Sequence, residues 1–280
     1  DGHGNLNAHI LGGFNDSSAG FPHTDSAGYR YGIGICPFVK MGSSAVFDPD
    51  QFTNPNYADL QSKAYASGAR ISANSWGATN NSYTMDSQAF DALVRDAQPD
   101  GSAYAAPGNQ EMVIVFAAGN RGAAANTVGA PGTAKNVITV GASESVRSLN
   151  TSNGGKSSMG SDGCGYSDAS ADAANDLATF SSRGPCSDGR QKPDLVAPGS
   201  HIVGGVPQSS AIVTGLGSAL SCFKASSLCA LSSGGSPGNT NNFFPLGQQF
   251  YTVSSGTSHA APAVAGACAL LRQYFLNQNL

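Results

Sequence analysis

Charge is what this sequence has least of. Only 11% of its 280 residues are Asp, Glu, Lys or Arg, against a usual share of about a quarter. Its 14 basic residues form no run and are outnumbered by 18 acidic ones, for a net charge of −4. Nothing here offers the basic face that a nucleic-acid backbone requires. No apolar stretch is long enough to cross a bilayer, and no repeat of fixed period is present. The G-x-x-x-x-G-K-[ST] phosphate loop, the H-E-x-x-H zinc helix and the G-x-S-x-G elbow are all missing, which argues against the chemistries built on them.

What is abundant is small residues. Gly alone accounts for 36 positions, and Ser, Asn and Ala are also frequent. That mixture implies long ordered loops around a close-packed core. The length suits one large core or at most two small domains; we read residues 1–280 as one domain, partial at both ends. Segments 143–178 and 208–249, rich in Ser, Gly, Asn and Asp, are expected to be surface insertions. The sequence starts at Asp1 rather than Met, so a piece of a longer chain is expected, with a propeptide or further domains beyond it. Six cysteines are present. Cys36 and Cys268 lie in apolar runs and predict buried thiols. Cys222 and Cys229 lie in a polar loop with no zinc-type spacing around them, so a disulfide is expected there, with Cys164–Cys186 as a second pairing. Disulfides imply a secreted or extracellular protein.

Apolar runs alternate with helical patterns. Residues 32–41, 69–77, 112–120 and 136–142 read as strands. Residues 56–68 and 82–98 read as helices, the first closed by glycine. This order predicts an α/β fold with a doubly wound, mostly parallel sheet and helices on both faces, a three-layer sandwich whose first strand is missing. Ligands in such folds bind beyond the carboxyl ends of the strands, where 74–77, Gly119, Asn120 and Gly141 fall.

One segment needs a special explanation. SSGTSHAAPAVAGACALL (254–271) places Ser258 at the start of a helix with no polar face before Arg272. A helix apolar all round is a buried helix. A hydroxyl at its N-terminus is most often a cap, yet it also faces unpaired N–H groups and the positive dipole end. If Ser258 is a nucleophile it needs a base, usually His. His259 is adjacent and badly placed to reach back. His3, between two glycines, precedes the serine, as in the Asp-His-Ser and His-Asp-Ser orders.

GTSHAAPAVAGA (256–267) resembles the nucleophile motif of the subtilisin-like serine peptidases, the subtilases. FAAGNRG (116–122) resembles the segment with their oxyanion asparagine, and NVITVGA (136–142) the strand after it. FSSRGPCSDGRQKPDLVAPG (180–199), ANSWGA (73–78) and DGHGNLNAHILGG (1–13) resemble three further family segments, all in family order. The resemblance implies Ser258 as nucleophile, His3 as general base and Asn120 as oxyanion donor beside the Ser258 N–H, with Thr257 assisting. It implies Ser75, Trp76 and Gly77 on one wall of the P1 pocket, Ala117, Ala118 and Gly119 on the other, Gly129 as its floor and Arg121 at its rim. A glycine floor leads us to expect a deep slot that takes large apolar P1 residues. A cation at the rim should disfavour Lys and Arg and admit Glu.

The sequence departs from the family pattern in several places. The family's catalytic Asp lies upstream of the His and is not Asp1. Asn5 replaces the Thr of the His-Gly-Thr start, His9 a helix glycine, and His259 the Met that commonly follows the serine. The expected function is a serine endopeptidase acting on polypeptides; the alternative is an inactive subtilase-fold binding module. A chymotrypsin-like enzyme is disfavoured because that fold is all β. No cofactor is needed for the chemistry. Structural calcium is an expectation of the family, with Asp194 as a weak candidate ligand.

Overall fold

The computed structural model of the chain describes residues 2–15, 30–48, 51–149, 162, 164–207, 244, 248 and 250–279. At its centre β1 (Ile71–Asn74), β2 (Val113–Ala117), β3 (Ile138–Ser143) and β4 (Leu195–Pro198) lie side by side in that order. All three pairings are parallel, with Ala73 opposite Val115, Val115 opposite Ile138 and Val140 opposite Leu195. Two further strands, β5 (Ile202–Gly205) and β6 (Tyr251–Ser254), form an antiparallel pair. Parallel strands require crossovers; among the described residues the one from β1 to β2 carries an α-helix.

Among the described residues four α-helices make the outer layers: α1 (Gly2–Gly12), α2 (Tyr57–Ala66), α3 (Met85–Arg95) and α4 (Thr257–Asn277). Alternation along β2 sends Val115 and Ala117 to one face, and Ile114 and Phe116 to the other. The first pair packs with Val140 and Ala142 of β3 and with Ala260, Ala261 and Ala265 of α4. The second pair packs with Phe90 and Leu93 of α3 and, at its edge, Tyr57 of α2. Small side chains on α4 let that helix lie close to the sheet, while aromatic rings fill the opposite layer. The side chains of Asn56 and Thr84 cap α2 and α3 by accepting N–H groups of their first turns, the usual use of such residues.

Three expectations are corrected. Residues 32–41 form no strand: Gly32 and Phe38 have φ of +81° and +73°, incompatible with extended pairing. Instead the N–H groups of Ile35 and Cys36 cap the C-terminal carbonyls of Ile10 and Leu11. The buried character of α4 ends near Gly266; Leu270, Leu271, Tyr274 and Phe275 are exposed. A 21-residue helix is about 31 Å long at 1.5 Å per residue and outruns strands of four to six residues. Cys186 holds a free, buried thiol, so it is not paired with Cys164. Cys36 and Cys268 are free as well, the second only half-buried. Cys222 and Cys229 lie outside the described residues, as does most of 208–249. The described part of 143–178 does more than cover the surface, because Leu149 is buried with Tyr31, Phe244, Tyr251 and Val253. No helix among the described residues is long and apolar enough to cross a membrane.

Candidate active site

β1 and β2 both end at the same edge of the sheet, and α4 begins there. A cavity of about 260 Å³ opens between them, lined by Ser75, Trp76 and Gly77, by the 117–121 segment, and by Gly129, Thr257 and Ser258. All the residues assigned from sequence to the pocket walls therefore meet around one space, together with Asn120 and Ser258. Ala78, Thr79 and Thr127 also line it; no motif marked Thr79 or Thr127, since only chain folding brings them near 258.

The start of α4 shows how the site is held. Its N-cap, Gly256, has no side chain to cap with. Asn120 caps from outside: its Oδ1 accepts the Thr257 N–H at 2.8 Å and the Thr257 hydroxyl at 2.9 Å. Thr257 Oγ1 in turn accepts the Gly119 N–H at 3.1 Å. With Oδ1 taken, Asn120 presents its Nδ2 as a donor. The Ser258 N–H has no hydrogen-bond partner among the described residues. Both donors border the space left by the missing Gly256 side chain: a Cβ there would lie 3.3 Å from Asn120 Nδ2 and 3.7 Å from Ser258 N. Two unpaired donors converging beside a hydroxyl can stabilise a developing oxyanion.

Ser258 is tied to the opposite wall. Ser75 Oγ donates to the Ser258 carbonyl at 2.7 Å, and Ser258 Oγ reaches the Ser75 carbonyl at 3.4 Å. Trp76 stacks on Tyr57 and meets Phe90 and Phe116 edge-on, so this wall is anchored in the aromatic layer. The guanidinium of Arg121 donates to the Thr79 carbonyl, bridging the two walls at the rim. Gly129 departs from the slot expectation. A Cβ on it would stand 2.1 Å from the Ala78 carbonyl oxygen, so this glycine permits close passage of the 78–80 backbone rather than opening depth.

His3 lies half-buried on α1, and burial lowers its pKa below the ordinary imidazole value. Its Nδ1 and Nε2 are 3.3 and 3.5 Å from Asn7 Nδ2. No hydrogen bond joins it to Ser258 among the described residues. The His3 ring neighbours that of His259, with centroids 5.8 Å apart. His9 finds room in place of a glycine because its ring packs against Gly13 and Gly205, where any Cβ would collide with it.

Asp194 already serves a cation of the protein itself. Its Oδ2 accepts the Lys192 ammonium at 2.6 Å and the Thr139 N–H at 2.7 Å. Lys192 is itself buried, with its Nζ also donating to the Val137 carbonyl. Among the described residues no cluster of three His, Cys, Asp or Glu could hold a metal.

Known proteins resemble the chain along most of its length. In Dictyostelium discoideum the "Serine protease/ABC transporter B family protein tagD" is 27% identical over 99% of the chain, which spans only 16% of that protein. "Serine protease AprX" of Bacillus subtilis is 31% identical over 67% of the chain and 30% of its own length. Among solved structures, the prenylagaramide maturation protease PagA superposes with a TM-score of 0.53 at 17% identity, covering all of this chain and 67% of that one. The model of the family described as "Subtilase family" matches residues 1–279. From its first helix to its last, the chain belongs to the subtilase family.

Proposed function

We propose that the chain carries the catalytic serine of a serine endopeptidase that cuts polypeptides. The observation that carries this reading is the convergence of Ser258, its free N–H, Asn120 Nδ2 and the two pocket walls around one cavity. Ser258 Oγ attacks the scissile carbonyl and His3 takes its proton. Asn120 and the Ser258 N–H receive the oxyanion. The Ser-His-Asp mechanism further calls for an Asp that orients the base. Burial keeps the His3 imidazole in the neutral form that a general base needs, and a nearby carboxylate would raise its basicity. The backbone of the two cleft walls, at 75–77 and at 117–119, receives substrate as an added strand, a mode that tolerates many sequences; the Ala118 and Gly119 backbone groups that already have partners within the fold hold the second wall in place. The cavity takes one large apolar P1 side chain.

The test is hydrolysis of a chromogenic peptide, with Phe at P1, by the full natural chain. Ser258→Ala should abolish both turnover and labelling by a fluorophosphonate. Equal turnover by wild type and Ser258→Ala would overturn the reading and favour the inactive binding module.

A further inference from the structure

A buried polar pair joins the helix of His3 to the helix of Ser258. Asn7 stands one turn after His3 on α1 and so shares its face; it is 9% exposed. His259 follows Ser258 on α4 and is 2% exposed. His259 Nδ1 lies 2.9 Å from Asn7 Oδ1. An amide oxygen only accepts, so Nδ1 carries the proton. Nε2 is then the acceptor for the Ser254 hydroxyl at 2.9 Å. Burial, and secondarily the nearby His3, hold the His259 pKa at about 3, so the ring stays neutral and keeps this tautomer near neutral pH. The Nδ2 end of the same Asn7 amide faces the His3 ring at 3.3 Å.

Among the described residues no other side-chain hydrogen bond joins α1 to α4. Further along, Gly266 of α4 lies against the Leu11 carbonyl and Ile35. Small apolar surfaces slide at little cost. A buried amide and imidazole do not, because a shift in register leaves both unpaired in an apolar setting. We propose that Asn7 and His259 are positioning residues: their hydrogen bond fixes the register of α1 against α4, and with it the place of His3 relative to Ser258. The proposal rests on the peptidase reading. It also accounts for an imidazole after the nucleophile, where the family commonly has Met: the imidazole supplies a donor that Asn7 can accept.

The experiment uses the full natural chain and its Asn7→Leu, His259→Met and double variants. Each single variant should lower kcat, by up to about a hundredfold for a displaced catalytic group, while KM stays within about twofold, since the pocket is untouched. The double variant should lose no more than the worse single one, because either change breaks the same bond. Nitrogen-15 NMR of the wild-type histidines should show His259 protonated at Nδ1 and not titrating between pH 5 and 8. Multiplying losses, a change in KM alone, or a His259 protonated at Nε2 would overturn the proposal. A wild-type chain that fluorophosphonate does not label at Ser258 would instead sink the peptidase reading, and this proposal with it. The NMR measurement reports on the bond even if a variant does not fold.

Discussion

The hydroxyl of Ser75 donates to the carbonyl oxygen of Ser258 across 2.7 Å. The reason lies four residues further along α4. Pro262 has no N–H to return to that carbonyl, so the helix leaves it unpaired. Ser75, on the opposite wall of the cleft, supplies the missing donor and pins the nucleophile's backbone.

Ser75→Ala should therefore cost about 1–3 kcal/mol, the usual penalty for an orphaned buried acceptor, and should slow peptide hydrolysis. Adding Pro262→Ala restores an intrahelical donor and should shrink the stability loss. Urea unfolding of the two single variants and the double variant measures this. Strictly additive losses would show that Ser75 acts in some other way.

Asn120→Ala removes the proposed oxyanion donor and the external cap of α4 together. We expect kcat to fall by roughly 10²–10³, a magnitude established on a subtilisin asparagine, with KM little changed. Thr257→Val removes one of the two donors that aim the Asn120 amide and should cost less. Steady-state kinetics on one substrate ranks the two; a larger loss for Thr257→Val would reverse their assigned roles.

Arg121 is exposed and tethered to the Thr79 carbonyl at the pocket rim. Its charge should disfavour Lys and Arg at P1 and tolerate Glu by about 1 kcal/mol, fading with salt. The ratio of kcat/KM for Glu and Lys at P1 should invert in Arg121→Glu. A ratio unmoved by the charge reversal would place the guanidinium outside the pocket's reach. Gly129→Ala is no substitute for this test, because its methyl would strike the Ala78 carbonyl.

The buried imidazole of His259 should make the fold sensitive to acid. Its folded pKa of about 3 lies below the ordinary 6.5, so the unfolded chain binds the proton more tightly. Full stability is present above about pH 6.5 and falls as pH drops towards 3, by on the order of 5 kcal/mol if the ring stays neutral throughout. His3 and His9, also lowered by burial, add in the same direction. Denaturant midpoints at pH 7 and pH 5 should differ less in His259→Met than in wild type.

Lys192 depends on Asp194 for its counter-charge. Asp194→Ala leaves an ammonium buried with only the Val137 carbonyl, a loss of about 3–5 kcal/mol for a broken buried pair, discounted because the Asp194 side chain is 40% exposed. The melting temperature should drop to the same extent with and without chelator. A drop seen only without chelator would restore Asp194 as a cation ligand.

Much of the site was legible in the sequence because its chemistry is encoded in short segments. SHAAPAVAGA announces a small-residue helix that can lie against a sheet, FAAGN a buried strand ending in a polar turn, and both local patterns survive folding. The mostly parallel sheet with helices on both faces follows from the alternation of strand and helix patterns along the chain. Residues 32–41 misled because their apolar composition suits a strand, while their left-handed backbone at Gly32 and Phe38 serves the end of α1. The outer half of α4 misled because composition reports hydrophobicity and not how far the covering sheet extends. Neither the Asn7–His259 bond, spanning 252 positions, nor the Ser75–Ser258 clamp, spanning 183, leaves a local trace. Periodicity records which face of an element is apolar; which donor meets which acceptor across that face depends on the register of packed elements, and only the folded chain fixes it.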